Sequence, residues 1–208
     1  MRACARCGEP NRDEATFCAH CGAPLSSTSV TAARKVVTVL FCDVSGFTEL
    51  GERLDPESLQ HLMSRWFDET ARIIKRHGGT VEKYMGDAVM AVFGVPVVHE
   101  DDGVRAARAA LEMRDKLGDL NDELASRWGV RLEIHTGLNT GEVVVGSAPG
   151  GDLSTVGDVV NVAQRLEASA PPGDVLVGQD TARHLGGLAD LDPLDPLTLK
   201  GKSLPVTA

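Results

Sequence analysis

The chain has 208 residues, 42% hydrophobic and 25% charged, as in an ordinary globular protein, with a formal net charge of -9. An acidic chain repels phosphate backbones at long range, which argues against a nucleic-acid polymer as partner, but not against a nucleotide bound through divalent cations. No apolar run approaches the roughly 18 residues a membrane span needs and no signal peptide opens the chain, so the expectation is no membrane partner and a cytoplasmic location.

Four of the five cysteines fall as Cys4-Ala5-Arg6-Cys7 and Cys18-Ala19-His20-Cys21, with ten residues between the pairs and Gly8 and Gly22 behind them. Each pair can turn two thiolates towards one ion, and two such turns complete a tetrahedral site for one structural Zn²⁺. The competing reading, two disulfides, fits poorly with a chain that carries no export signal. His20 reads as an exposed bystander and Cys42, inside an apolar run, as a core thiol. The expected organisation is a zinc ribbon over residues 1–25, an aperiodic linker over 26–34 and one larger domain over 35–208.

Lys35 to Cys42 (KVVTVLFC) is a β-branched, apolar run and predicts a buried central strand that ends at Asp43. Asp55-Pro56-Glu57 then signals a helix start, and Leu59, Leu62, Met63, Trp66, Phe67, Ile73 and Ile74 keep helical spacing until Gly78-Gly79. Thr80–Met85 and Ala88–Phe93 predict two strands joined at Gly86-Asp87. A second long helix is expected from about Glu100 to Arg127, with Val104, Ala107, Leu111, Leu117, Leu120 and Leu124 on one face. Val130–Leu138 and Gly141–Gly146 predict a strand pair turning at Asn139-Thr140, followed by a short helix after Gly157 and a brief strand at Asp174–Val177. This order predicts an α+β fold, a ferredoxin-like antiparallel sheet with helices on one face.

Asp43 and Asp87 both stand at strand ends. On neighbouring strands their carboxylates would meet and could hold two Mg²⁺ or Mn²⁺ ions, although turn aspartates bonding their own backbone are equally common there. Gly46, Phe47 and Thr48 lead into a helix whose free N–H groups suit phosphate oxygens. Asn161 and Arg165 share a helix face and suit a phosphoryl transition state; an ordinary solvated helix would also explain them.

Three blocks taken together carry a resemblance: Phe41 to Thr48 (FCDVSGFT), Glu82 to Ala88 (EKYMGDA) and Val156 to Leu166 (VGDVVNVAQRL). They resemble the signature blocks of class III nucleotidyl cyclases, over about Arg34 to Pro205. The resemblance implies a class III cyclase fold and conversion of ATP to 3′,5′-cyclic AMP and pyrophosphate. Asp43 and Asp87 match the metal pair, Lys83 and Ser154 the purine readers, Asn161 the ribose-orienting residue and Arg165 the transition-state arginine. Lys200 is similar to a lysine that contacts the terminal phosphates, and Ser154 points to the branch resembling bicarbonate-responsive cyclases. One chain carries both half-site sets, which implies a head-to-tail homodimer. Such domains usually continue through another strand, so a fragment lacking a C-terminal effector domain stays open. The alternatives are a guanylate cyclase, disfavoured by Lys83, and a catalytically weak cyclase-like module that binds nucleotide or bicarbonate to regulate a partner. A zinc-ribbon nucleic-acid binder ranks last on charge.

Overall fold

The structure, a computed structural model, describes residues 2–4, 6–12, 15, 17–22, 33–147 and 153–197. The chain divides into two compact units, residues 1–33 with 145–154 and residues 34–144 with 155–208. In the first, β1 (Arg2–Ala3) and β2 (Pro10–Asn11) form a two-residue antiparallel ladder beside the cysteine turns.

The larger unit starts with β3 (Ala33–Ser45), whose buried run from Val37 to Cys42 is the apolar segment legible in the sequence. A short helix α1 (Phe47–Arg53) follows, then α2 (Pro56–Arg76). α2 begins as the sequence dictates: Asp55 accepts the Ser58 N–H at 2.8 Å and Pro56 occupies the first turn, where its missing N–H costs nothing. β4 (Gly79–Met85) and β5 (Ala88–Phe93) form the expected hairpin. The second long helix is α3 (Asp102–Trp128). Its packed face is built from Ala106, Ala109, Ala110, Met113, Leu117 and Leu124, whereas Leu111, expected on that face, is exposed.

The expected strand pair around Asn139-Thr140 is one continuous strand, β6 (Glu133–Ser147). It lies between β3 and β7 (Leu153–Val156), and α4 (Asp158–Ser169), β8 (Val175–Val177) and α5 (Gln179–Leu185) complete the order. The two polar residues read as a turn are satisfied inside the strand. Thr140 Oγ1 lies 2.8 Å from both Thr38 Oγ1 and Thr181 Oγ1, and Asn139 Nδ2 donates to the Val159 carbonyl.

The six-stranded sheet runs β4-β5-β3-β6-β7, with β8 paired parallel to β6. One buried cluster joins alternate residues of β3, β5 and β6 (Leu40, Cys42, Phe93, Leu138) to Trp66, Ile73 and Ile74 of α2 and to α3. Each fully buried Leu or Ile contributes about 1.5–3 kcal/mol of transfer free energy. α4 lies against the other face of β6. Gly137 permits this approach, because a Cβ there would collide with the Ala163 carbonyl and the Glu167 N–H.

Candidate functional site

Asp43 stands between Cys42 and Val44, whose side chains enter the core beneath α2 and α3, so its own side chain points to the opposite face of the sheet. β3 and β5 pair antiparallel with Cys42 opposite Val89, and continuing that register sets Asp43 beside Ala88, next to Asp87. Asp87 follows Gly86 in the two-residue turn of the β4–β5 hairpin, and Gly86 (φ 68°) supplies the left-handed backbone that the turn requires. The carboxylates crowd one another. Burial, and then the charge of Asp87, push Asp43 above its ordinary pKa, while its Oδ1 accepts the Val44 N–H at 2.9 Å. Two acids so placed make a cradle for hard divalent cations. Gly46 N-caps α1 at φ 86°, and among the described residues that first turn has no side-chain cap hydrogen bond.

Lys83 is aimed by a β-bulge. Val81 pairs with Ala91 and Lys83 with Met90, so Glu82 is the extra residue in β4. Val81 packs on the helix-covered core, and Tyr84 stacks on Phe67 of α2 with ring centroids 4.8 Å apart. In a regular strand Val81 and Lys83 would share a face; the inserted Glu82 turns Lys83 to the face opposite α2 and α3. The carboxylate of Glu82 accepts the backbone N–H of Thr155 in β7 at 3.2 Å. Ser154, next to Thr155, is half-buried. On α4, Val162, Ala163 and Leu166 are buried, Asn161 is exposed and Arg165 half-buried, consistent with one face turned away from the sheet. Lys200 lies outside the described residues.

Two neighbours of Asp43 are absent from the sequence reading, Glu167 of α4 and His135 of β6. Glu167 is pushed up to about 7 by burial and then by the charge of Asp43, with His135 opposing the shift. His135 Nδ1 donates to the Ala170 carbonyl at 2.7 Å, which fixes the ring. Alternation along β6 and the four-residue step from Ala163 to Glu167 would have placed both on the Asp43 side, once Gly137 was read as a helix contact.

The raised carboxyl has a consequence for stability. The folded chain holds the Glu167 proton more tightly than the unfolded chain, so its contribution is complete below the ordinary carboxylate pKa and is lost as pH rises towards about 7. Discounted for partial exposure, the loss is about 1–2 kcal/mol. In EDTA, Glu167→Gln should flatten the fall in Tm between about pH 5 and 8 and raise Tm at the upper end by about 2–8 °C. Thermal melts across that range check this, and an unchanged slope would refute it.

In the N-terminal unit all four ligand atoms of Cys4, Cys7, Cys18 and Cys21 lie within 4.8 Å of one another. The Cys4–Cys21 and Cys7–Cys18 sulfur pairs are each 3.6 Å apart. Bonded sulfurs sit at about 2.05 Å, whereas thiolates about 2.3 Å from a tetrahedral ion are separated by about 3.8 Å. The spacing therefore fits a metal site. The Cys21 backbone N–H pulls Cys18 down to about 6, and Asn11 Nδ2 donates to the Cys18 sulfur at 3.5 Å, which prepares a thiolate for coordination. Gly8 and Gly22 close the two turns on the Cys4 and Cys18 carbonyls.

Among the described residues no helix is long and apolar enough to cross a membrane. Residues 4–25 match the model of a zinc-ribbon domain, and residues 30–207 match that of the adenylate and guanylate cyclase catalytic domain. The chain is 29% identical over 177 residues to adenylate cyclase 1 of Rhizobium meliloti, covering 83% of this chain and 27% of that protein. It spans about a quarter to two-fifths of the length of the curated relatives it matches. The adenylyl cyclase CyaB from P. aeruginosa superposes with a TM-score of 0.81 at 33% identity, over 85% of this chain and 93% of that one. The guanylyl cyclase Cya2 gives 0.79 at 31%, over 85% and 91%. The family match takes in the facing carboxylates, the bulged lysine and α4 together, and the chain accordingly belongs to the adenylate and guanylate cyclase catalytic domain family.

Proposed function

We propose that this chain is an adenylate cyclase, converting ATP to 3′,5′-cyclic AMP and pyrophosphate at the interface of a head-to-tail homodimer. The observation that carries the reading is the pair Asp43 and Asp87, crowded at one end of adjacent strands with the pKa of Asp43 raised. The ribose 3′-oxygen attacks the α-phosphorus, its proton passes to solvent, and the bond to the pyrophosphate oxygen breaks. Two Mg²⁺ or Mn²⁺ ions held by Asp43 and Asp87 would supply charge neutralisation and acidify the 3′-hydroxyl.

The remaining roles follow from placement and side-chain chemistry. Lys83 donates to the adenine edge, and the Ser154 hydroxyl reads a neighbouring atom. Asn161 orients the ribose, and Arg165 meets charge building on the non-bridging oxygens. The Gly46, Phe47 and Thr48 backbone and Lys200 hold the triphosphate. The cysteine site holds one structural Zn²⁺, in a ribbon over residues 1–25 that a linker over 26–34 joins to a catalytic domain over 35–208. The location is cytoplasmic.

Asp43 and Asp87 belong to one half-site and Arg165 to the other, so complementation tests the assembly. Asp87→Asn and Arg165→Ala should each be inactive alone. Mixed in equal amounts and re-equilibrated, half the dimers are heterodimers with one intact site of two, and about a quarter of the parent activity should return. The assay follows cyclic nucleotide formation from ATP and from GTP in Mg²⁺ and in Mn²⁺. No return of activity would refute the shared site. Cyclic GMP as the main product would establish guanylate cyclase, the reading that likeness to Cya2 supports. No product from a dimeric parent would leave a nucleotide-binding regulatory module.

A further inference from the structure

Glu82 has no assigned role, and its position is unusual in two respects. It is the bulge residue whose insertion turns Lys83 to the face opposite α2 and α3. It also belongs to β4, at one end of the strand order, yet its Oε1 accepts the backbone N–H of Thr155 in β7, at the other end. Thr155 directly follows Ser154, and consecutive Cα atoms are held about 3.8 Å apart, so anchoring one backbone position anchors the other. The two residues read here as base readers are thus each one peptide away from the same hydrogen bond.

The contact is poor value for the fold alone. Glu82 Oε2 and Thr155 Oγ1 are both buried without a hydrogen-bond partner. A half-satisfied buried carboxylate costs free energy that an apolar residue at the bulge would avoid. Satisfying one Thr155 N–H does not require a charged group. Setting Lys83 and Thr155 in fixed relation does require an arm that starts at residue 82 and crosses to β7.

We propose that Glu82 is a positioning residue for base recognition: its bulge aims Lys83 and its bond to the Thr155 N–H fixes the station of Ser154, so discrimination between adenine and guanine nucleotides depends on it. The inference rests on the reading of Lys83 and Ser154 as base readers. It touches neither the metal pair nor the phosphate-binding backbone, and that separation makes it testable.

The experiment compares the full chain with Glu82→Ala, Glu82→Asp and Glu82→Gln. It measures kcat/KM for ATP and GTP, equilibrium Kd for ATP, GTP and inorganic pyrophosphate in Mn²⁺, and Tm. Glu82→Ala should lower kcat/KM for ATP about tenfold, mainly through KM, while changing that for GTP about twofold. Pyrophosphate Kd should stay within about twofold and Tm should not fall. Glu82→Asp is too short to reach Thr155 and should follow Glu82→Ala even if the latter does not fold. Glu82→Gln keeps an acceptor and should lose only about threefold. Equal losses for both nucleotides, an unchanged ATP/GTP ratio, or a lowered Tm with weakened pyrophosphate binding would each overturn the assignment. A parent that turns over neither nucleotide defeats the cyclase reading alone, because the ATP/GTP ratio of Kd values still decides the role of Glu82. A parent that binds neither nucleotide defeats both.

Discussion

Asp87→Asn is expected to reduce cyclic nucleotide formation by more than about a thousandfold while leaving the metal-free chain at least as stable as the parent. The two effects share one cause. Asp43 and Asp87 sit at the same end of two strands locked by consecutive pairs from Thr38–Phe93 to Cys42–Val89. In the metal-free chain this is a repulsive arrangement: after burial, the charge of Asp87 is the next cause that raises the pKa of Asp43. Removing one charge relieves the repulsion and removes half the cation cradle, and a cation at a reacting phosphate is worth several kcal/mol of transition-state stabilisation. Activity assays in Mg²⁺ and Mn²⁺ beside thermal melts in EDTA check both halves. Lost activity with a Tm lowered by several degrees would instead identify Asp87 as a structural turn residue.

Cys18→Ala is expected to abolish zinc binding and unfold the N-terminal unit. The parent should carry one Zn²⁺ per chain. Structural zinc sites contribute about 10–16 kcal/mol of apparent binding free energy, far more than the Arg2–Asn11 and Ala3–Pro10 pairs of β1 and β2 supply. Residues 2–22 should therefore lose amide-exchange protection in the variant and in chelator-treated parent. Acid should release the metal as the thiolates protonate. Metal analysis with exchange measured over those residues is the check. A zinc-free parent with protected amides would refute the assignment.

Much of this was legible in the sequence where a local pattern had one structural solution. The apolar run ending at Cys42 made a central strand, and Asp55-Pro56-Glu57 made a helix start, because neither needs a distant partner. Asn139-Thr140 misled because its polar groups are satisfied by Thr38, Val159 and Thr181, partners remote in sequence. The Glu82 bulge was invisible for a related reason: one extra residue leaves composition and hydrophobicity unchanged and shows only in the register against β5. Asp43 and Asp87 could be paired from strand order alone. Glu167 could not, because its proximity to Asp43 depends on α4 closing over Gly137, and His135 follows only once β6 is set beside β3.

Asp43 stands on β3 and Asp87 in the β4–β5 turn beside it, whereas Arg165 belongs to α4 and Ser154 to β7, the last strand in the order. Bending the acid pair would mean breaking the ladder that carries the core, so its geometry is a poor target for control. In the proposed assembly the adjustable quantity is how often two copies meet. Where pairing is incomplete, paired chains grow with the square of concentration, and output per chain rises in proportion to abundance. Such an enzyme reports its own local density, and recruiting copies to one place would switch it on without moving an atom of the acid pair.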